Sequence, residues 1–372
     1  MKILHIGKYY PPHFGGIEKV NYDLVEGLNE LGYSTDELCF NEESTTVFEE
    51  RKYKIYRAAN LFKLNSTPFS FSIINILGRI HHQYDIIHIH LPNPTGAIAL
   101  QLVNFKGKIV VHWHSDIIKQ KILKKFYAPF QKALLKRADR IIVTSPPYLE
   151  GSDDLKEFKN KCEIIPIGID ERELICDEQF LSILRETYQD KKIIFSVGRL
   201  IYYKGFNYLI DAAKNLPGDY MILIGGTGEL FDKLKNQITT NHLESKVKLL
   251  GKIPANKIAC YYNLCDLYCL PSCEKSEAFG VVQLEAMSFG KPLVSTQIPF
   301  SGVPWINEQG KTGLVVAPKN PKALSDAIKS ILSDQKNKER LGARAKQKFL
   351  AEFTAKKMCQ RTIELYNSLF VE

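Results

Sequence analysis

Short apolar runs recur along the chain, and segments with apolar residues at helical spacing separate them. In the first half, an amphipathic helix is predicted from Ile17 to Leu31, with Gly32 as its end. Strands that alternate with helices favour a parallel, doubly wound sheet, and continuous apolar strands are typical of a sheet covered on both faces. The strands predicted here are Lys2–Gly7, Asp36–Phe40, Lys54–Arg57, Asp85–Ile89, Lys108–His112, Arg140–Thr144 and Glu163–Ile167.

The alternation begins again after an acidic, irregular segment from Gly168 to Asp190, which contains one predicted short helix at 180–186. The pattern therefore predicts two α/β domains whose strand-end loops line a shared cleft. Strands are predicted at Lys192–Val197, Tyr220–Ile224, Val247–Leu250, Leu267–Leu270, Leu293–Ser295 and Leu314–Val316. Helices are predicted near 205–215, 228–239, 255–264, 281–289, 321–332, 337–351 and 355–369.

Length and charge agree with this division and narrow the class of protein. The 372 residues suggest roughly two domains, and the net charge of +9 suits anionic substrates, a membrane surface or nucleic acid. No apolar run approaches the roughly 18 residues that a membrane span needs. Because the N-terminus also lacks a signal-peptide pattern, we expect a cytoplasmic protein.

Eight cysteines are present, and four of them lie close together at Cys260, Cys265, Cys269 and Cys273. Their spacing matches neither zinc sites nor the common iron–sulfur patterns. We therefore expect buried, reduced, structural cysteines in a reducing compartment.

A glycine pair, Gly15-Gly16, separates the first strand from the first helix. Glycines at this position let a ligand approach the backbone near a helix N-terminus, so a phosphate or substrate loop is predicted. The alternative is a plain turn.

Two histidines mark the end of a predicted strand, in His112-Trp113-His114-Ser115-Asp116. Strand alternation places His112 and His114 on the same side. His114 is the functional candidate, either as a general base or as a hydrogen-bond donor to a reacting group. A metal pair, with Asp116 as the nearest supporting carboxylate, is a further alternative, whereas His112 is expected to pack in the core.

The segment Ile117–Arg140 predicts a long helix that carries eight cations and one acid, Asp139. One interpretation is an amphipathic helix packed on the sheet with a solvated basic face. The other is a peripheral contact with anionic lipid headgroups through residues 117–140. Nucleic acid is not expected, because recognised binding modules are missing.

Two cations follow the first strand of the second half, in Gly198-Arg199-Leu200-Ile201-Tyr202-Tyr203-Lys204-Gly205. Arg199 and Lys204 are placed to hold adjoining phosphates, the first by its planar fork and the second as a point charge. The alternative is two surface cations. Gly225-Gly226, after the next strand, is either a ligand contact or a tight turn.

The most informative stretch is Pro271–Met287, which leads from a strand through a polar loop into a predicted helix. Such a helix start at the carboxyl edge of a sheet favours anions. The carboxylates of Glu277 and Glu285 are unfavourable beside an anion, so we expect them to serve another group, such as sugar hydroxyls.

Four motifs in this order resemble the retaining nucleotide-sugar glycosyltransferases of family 4, which have the GT-B architecture, and the resemblance covers nearly the whole chain. It implies two facing Rossmann-like domains with a cleft between them: an acceptor-binding domain at 1–170 and a donor-binding domain at 171–353. A helix at 354–372 would cross back to the N-terminal domain. The motifs are Phe14-Gly15-Gly16, His114, Gly198-Arg199 with Lys204-Gly205, and Glu277-Ala278-Phe279-Gly280 with Glu285-Ala286-Met287.

The resemblance also implies roles for the matching residues. Arg199 and Lys204 would bind the donor diphosphate and stabilise the leaving group, so that no metal or other cofactor is needed. Glu277 would contact the donor sugar, and Glu285 would accept hydrogen bonds from the ribose. His114 would help to stabilise charge at the reacting carbon. The further donor contacts implied are Gly15, Gly16, Gly226, Phe279, Gly280 and Val281.

The activity implied is transfer of a hexose from a UDP- or GDP-linked donor, with retention, to a glycan or lipid-linked acceptor. The setting would be surface polysaccharide biosynthesis of the O-antigen (lipopolysaccharide) or capsule type, at the inner face of the plasma membrane. A mannose- or glucose-type hexose is favoured. A same-face mechanism is expected, since no second carboxylate is placed as a nucleophile. The alternatives are a non-catalytic nucleotide-sugar binding protein and a nucleotide-sugar epimerase of the same architecture.

Overall fold

The protein forms two compact units, residues 1–168 with 355–372, and residues 169–354. The structure, a computed structural model, describes residues 1–13, 15–64, 67–116 and 121–371; for 63, 64, 67 and 121–125 it describes the backbone alone. Each unit is an α/β unit with its own sheet, as the alternating pattern predicted.

The first unit is built on an eight-stranded sheet in the order β10-β9-β8-β7-β1-β2-β4-β3, with β3 antiparallel at one edge. The strand order reverses at β1, because β2 pairs on one side of it and β7 on the other. The chain order of elements is β1 (Lys2–Ile6), α1 (Gly16–Glu30), β2 (Ser34–Phe40), β3 (Val47–Glu50), β4 (Lys54–Ala58), β5 (Phe62–Leu64), β6 (Thr67–Phe69), α2 (Ser72–Ile80), β7 (Ile86–Leu91), α3 (Pro94–Leu102), β8 (Lys108–Trp113), α4 (Lys121–Arg137), β9 (Arg140–Val143), α5 (Pro146–Glu150) and β10 (Cys162–Ile164).

The second unit has a six-stranded parallel sheet in the order β13-β12-β11-β14-β15-β16. Its order reverses between β11 and β14, which pair with each other. Its elements are α6 (Glu178–Thr187), β11 (Lys192–Val197), α7 (Phe206–Ala212), β12 (Tyr220–Gly225), α8 (Phe231–Thr240), β13 (Val247–Gly251), α9 (Ala255–Leu264), β14 (Leu267–Leu270), α10 (Val282–Ser288), β15 (Leu293–Thr296), α11 (Val303–Ile306), β16 (Gly313–Val316), α12 (Pro321–Leu332) and α13 (Gln335–Glu352).

The last helix, α14 (Ala355–Ser368), belongs to the first unit. It packs against α1 so closely that a Cβ at Gly27 would come within 2.5 Å of Cys359 Sγ. Its apolar residues Met358, Leu365 and Tyr366 are buried. The prediction of two α/β units with parallel sheets and of a C-terminal helix that returns to the first unit is therefore confirmed.

Some predicted bounds were wrong. The strand expected at Glu163–Ile167 is Cys162–Ile164, and the helix expected to reach Arg140 ends at Arg137. The helix stops because the Asp139 N–H donates to Ile109 O at 2.8 Å, which brings the chain into the sheet as β9. Residues 117–120 of that predicted helix lie outside the described residues. The four clustered cysteines are buried, as predicted.

Candidate active site

The loops after β11 and β14 meet at the carboxyl edge of the second sheet, where its strand order reverses. Gly205 permits this contact, because its φ is +68° and a Cβ there would come within 2.1 Å of Pro271 O. The Cys273 N–H also donates to Tyr203 O at 2.8 Å. Ligands of open α/β sheets bind at such a reversal.

A buried ion pair lies where these loops meet. Lys204 Nζ is 2.5 Å from Glu277 Oε2, and the two side chains are 11% and 10% exposed. Ser272 Oγ donates to the same carboxylate oxygen at 2.8 Å. The Glu277 carboxylate therefore has a fixed orientation, and loss of Lys204 would leave it buried without a counter-charge.

The backbone around Glu277 is anchored by the next strand and helix. Ser301 Oγ donates to Glu277 O at 2.5 Å, and the Gly302 N–H donates to Ala278 O at 2.8 Å. Thr296 Oγ1 donates to Ser272 O. These contacts fix the backbone of the loop, so both the main chain and the side chain of Glu277 are held in place.

Arg199 follows β11 in the same loop as Lys204. Its side chain is exposed and makes no ion pair with the described residues. Arg199, Lys204 and Glu277 together carry one net positive charge, which suits an anionic ligand better than the neutral pair would.

The segment Phe279–Val281 offers backbone donors beside Glu277. Gly280 has φ of +82°, and a Cβ there would lie 2.9 Å from both Gln283 Nε2 and Leu270 Cδ2. None of the three N–H groups donates to a described residue. They are therefore available to an oxygen ligand, although α10, which starts at Val282, is only seven residues long.

Glu285 is held by Tyr262, a residue on α9. Tyr262 OH donates to Glu285 Oε2 at 2.5 Å. Burial, and then the Glu285 charge, raise the pKa of Tyr262 well above its ordinary value, so the phenol stays protonated and donates. The carboxylate predicted to receive ribose hydroxyls thus has an orienting partner of its own.

The remaining glycines fit a structural role at least as well as a ligand contact. Gly226 has φ of +127°, and a Cβ there would come within 1.9 Å of Gly198 O, so the turn itself requires glycine. Gly15 precedes α1 in extended conformation, and a Cβ on Gly16 would meet nothing within 4 Å. The space at Gly16 admits a ligand. Phe14 lies outside the described residues.

In the first unit, five buried histidines lie on one face of the sheet. His5 on β1 pairs in register with His88 on β7, and His90 pairs with His112 on β8. His114 follows β8. The rings stack, with centroids 4.4 Å apart for His5 and His88 and 4.1 Å apart for His112 and His114. We call these five residues the histidine stack.

The histidine stack is uncharged. Burial lowers the pKa of His5 and His114 to about 3. Burial, and then the neighbouring histidines, hold the pKa of His88, His90 and His112 well below 6.5. At neutral pH each ring therefore carries one N–H and one lone pair. His112 is buried, as predicted, but as part of this polar stack.

Three members of the stack could also be metal ligands. The ligating atoms of His88, His90 and His112 lie within 4.8 Å of one another, the one such group found in the described part of the chain. Neutral imidazole is a common ligand of zinc and copper. However, the rings of His88 and His90 are stacked at 9°, so their in-plane lone pairs do not converge.

The described part of the basic helix differs from its predicted packing. The interpretation of this segment as an amphipathic helix packed on the sheet implies that its apolar residues are buried, yet Phe126 and Phe130 are 75% and 47% exposed. Tyr127 and Leu134 of the same helix are buried. An exposed pair of phenylalanines one turn apart beside lysines is a feature that a packed amphipathic helix does not require. None of the described helices is long and apolar enough to span a bilayer.

Sequence reasoning missed several residues of both sites. Ser272 and Tyr262 orient the two glutamates, but neither stands in a motif that marks it. His5, His88 and His90 lie within runs that read as apolar strands. The alternation His88-Ile89-His90 was the available signal, since it places two imidazoles on one face.

Comparison with known proteins identifies the class that this fold and site define. The family model for glycosyltransferase family 4 matches residues 14–173, and the model for glycosyl transferases group 1 matches residues 183–348. The chain is 33% identical over 375 residues to the O-antigen chain mannosyltransferase C of Escherichia coli, covering 99% of both chains. It belongs to glycosyltransferase family 4 and is a glycosyltransferase.

A second relative and two solved structures agree. The D-rhamnosyltransferase WbpZ of Pseudomonas aeruginosa is 32% identical over 95% of this chain and 93% of its own length. Anabaena Alr3699/HepE in complex with UDP superposes with a TM-score of 0.80 at 22% identity over 99% of this chain and all of that one. The lipopolysaccharide glycosyltransferase WaaG has a TM-score of 0.69 at 14% identity, over 98% and 99% of the two chains. These structures share the GT-B fold.

Proposed function

We propose that the protein is a retaining, metal-independent hexosyltransferase that builds a surface polysaccharide of the O-antigen type. The donor is a UDP- or GDP-linked sugar of the manno configuration, and the acceptor is a glycan or lipid-linked oligosaccharide. The names of two relatives support this choice, since one is a mannosyltransferase and the other transfers D-rhamnose, which is 6-deoxymannose.

The observation that carries the proposal is the charged site at the reversal of the second sheet. Lys204 and Glu277 form a pair at 2.5 Å, and Arg199 is exposed beside it in the same loop. The two cations bind the diphosphate and stabilise the negative charge that develops on it as the glycosidic bond breaks. The oxygens of Glu277 accept hydrogen bonds from the sugar hydroxyls, and the N–H groups of Phe279–Val281 donate to the sugar and phosphate oxygens.

The same geometry favours a same-face mechanism over a covalent glycosyl-enzyme. Glu277 Oε2 already accepts hydrogen bonds from both Lys204 and Ser272, which lowers its nucleophilicity. In the mechanism we propose, the leaving phosphate takes the proton of the acceptor hydroxyl, and the acceptor oxygen bonds to the anomeric carbon on the face that the phosphate leaves. Glu285 holds the ribose.

The test begins with a thermal-shift panel of UDP, GDP and ADP, since a ligand at 100 times its dissociation constant adds about 2.7 kcal/mol. The corresponding sugar nucleotide is then incubated with lipid-linked acceptor, and transfer is followed by mass spectrometry. We expect transfer that depends on acceptor. Stabilisation without transfer to any acceptor would instead support a binding protein, and interconversion of donor without acceptor would support an epimerase.

We further propose that the exposed Phe126–Phe130 side of α4 rests on anionic lipid, which would bring the enzyme to a lipid-linked acceptor. The two phenylalanines would insert at the headgroup boundary while the neighbouring lysines contact phosphates. Flotation with vesicles that contain phosphatidylglycerol should recover the wild-type protein, and Phe126→Ser with Phe130→Ser should lower the recovery severalfold. The matched control is the exposed Ile175→Ser, on the second unit; equal recovery of all three proteins would contradict this contact.

A further inference from the structure

Hydrogen bonds connect members of the histidine stack, and the contact of His5 with Asn21 determines which atoms donate and which accept. Asn21 Nδ2 donates to Glu37 Oε1 at 2.9 Å, which leaves Asn21 Oδ1 facing His5 Nδ1 at 3.1 Å. A carbonyl oxygen can only accept, so the proton of His5 is on Nδ1. The other nitrogen, Nε2, then carries a lone pair and can only accept.

Tyr366 on α14 completes this end of the stack. Its hydroxyl lies 3.2 Å from His5 Nε2 and also contacts His88 Nδ1. Because His5 Nε2 must accept, Tyr366 OH donates to it and in turn accepts from His88 Nδ1–H. Burial raises the pKa of Tyr366 well above its ordinary value, which keeps this donor protonated.

The same order of donor and acceptor continues from His5 to His90 and then to His114. His5 Nδ1–H is shared between Asn21 Oδ1 and His90 Nε2, which both lie 3.1 Å from His5 Nδ1. A proton on His90 Nε2 would face the proton of His5, so that nitrogen accepts and the proton of His90 is on Nδ1. His90 Nδ1 is 2.9 Å from His114 Nε2. His114 Nε2 therefore accepts, and the proton of His114 is on Nδ1, a buried atom with no partner among the described residues.

We propose that Asn21, His5 and His90 are positioning residues that fix His114 in its Nδ1–H tautomer. His114 then acts as a hydrogen-bond donor and not as a general base. The catalytic part of this inference rests on the proposed function, whereas the tautomer does not. Asn21 on α1 thereby determines the protonation pattern at the end of β8.

The competing assignment is a metal held by His88, His90 and His112. Both nitrogens of His90 are already used by His5 and His114, so ligation would have to break the hydrogen-bonded path. The two assignments thus exclude one another, and metal analysis separates them.

The test is nitrogen NMR of the full chain labelled with ¹⁵N-histidine, with the His114 signals identified by their loss in His114→Asn. At pH 7.5 without donor, we expect His114 with protonated Nδ1 and unprotonated Nε2. Tyr366→Phe should leave the His114 tautomer unchanged, because Asn21 still accepts from His5, whereas Asn21→Leu should produce a mixture of His114 tautomers. His90→Phe should do the same, while His90→Asn, whose amide can replace the Nδ1 donor, should restore the wild-type pattern. The exposed His82→Asn is the control and should leave it unchanged.

The kinetic readout separates positioning from mere stability. His90→Phe should lower kcat by about 10- to 100-fold with a change of less than about twofold in the donor KM, and His90→Asn should recover most of kcat. A wild-type His114 in the Nε2–H tautomer, or about one zinc per chain in purified protein by mass spectrometry, would overturn the proposal. The predicted tautomer in a protein without transferase activity would refute the proposed function alone.

Discussion

The two units have the same kind of sheet and place opposite chemistry at the edge where the strand order reverses. In the first unit that position, between β1 and β7, has the uncharged histidine stack. In the second unit, between β11 and β14, it has Lys204, Glu277 and the exposed Arg199. The fold therefore determines where the strand order reverses, whereas the residues on the strands and in the loops after them determine whether that position is charged.

The largest difference should appear in acid. Folded pKa values of about 3 for His5 and His114 lie below the value of about 6.5 for an unfolded histidine. Between about pH 6.5 and pH 3 the unfolded chain therefore binds more protons than the folded chain. The contribution of these histidines to the stability of the first unit is complete above pH 6.5 and is lost as the pH falls to about 3. Each such histidine lowers the free energy of unfolding by about 1.4 kcal/mol for each pH unit within this window.

One tryptophan in each unit allows the comparison, Trp113 on β8 and Trp305 on α11. In the second unit, hydrogen bonds from Lys311 and then Lys348 lower the pKa of Glu308. The contribution of Glu308 to the stability of that unit therefore persists until the pH falls below about 4.5. Acid titration of Trp305→Phe should therefore show a transition at higher pH than titration of Trp113→Phe. Coincident transitions would mean that the histidine stack does not distinguish the units.

The second prediction concerns the charged edge. Lys204→Met and Glu277→Gln should each lower kcat by about 10²- to 10³-fold. The first removes a cation aimed at the charge that develops on the leaving diphosphate, and the second removes the carboxylate that positions the donor sugar. Steady-state transfer rates measure this, with circular dichroism to confirm folding. Lys322→Ala, which breaks an exposed pair with Asp326 on α12, is the control and should change kcat by less than about twofold.

A smaller effect is expected where the loops of that edge meet. Gly205→Ala places a side chain at φ +68° against Pro271 O and should lower stability by about 1–3 kcal/mol. Gly218→Ala is the control, since a Cβ there meets nothing within 4 Å. Urea unfolding followed by Trp305 in a Trp113→Phe background compares the two variants. Equal stability would show that the loop contact tolerates a side chain.

The smallest effect is expected at Tyr262. Tyr262→Phe removes the hydrogen bond to Glu285 and leaves the packing, so it should weaken donor binding by about 1.5 kcal/mol, roughly tenfold. Calorimetry with the nucleotide measures the change. Tyr261→Phe, the neighbour on the same helix, should leave the affinity unchanged, and an equal loss in both variants would exclude a specific role for the Tyr262 hydroxyl.

The sequence made the second site more predictable than the first. Arg199, Lys204 and Glu277 are charged residues in loops that follow predicted strands, and Glu285 lies in the helix after the second of these loops, so their type and place were informative. Tyr262 could not be predicted as an orienting partner, because it lies 23 residues from Glu285 and only the fold brings the two together. Ser272 lies five residues from Glu277, but no motif marks it.

The histidine stack was largely invisible for a related reason. His5, His88 and His90 lie on different strands or within apolar runs, and their contact depends on strand register, which periodicity does not supply. The exposure of Phe126 and Phe130 was missed because an apolar residue in an amphipathic helix is normally assigned to the core. Polar residues in buried strands and apolar residues on basic helices are thus the places where pattern and structure diverge.

The central claim is that the charged edge of the second unit transfers a sugar with retention and without a metal. The anomeric configuration of the product tests this claim most directly. Proton NMR of the transferred sugar, formed from an α-linked manno-configured donor in the presence of EDTA, gives that configuration. The account predicts an α-linked product, formed at an undiminished rate and lost in Glu277→Gln. A β-linked product, or transfer that EDTA abolishes and a divalent metal restores, would contradict it.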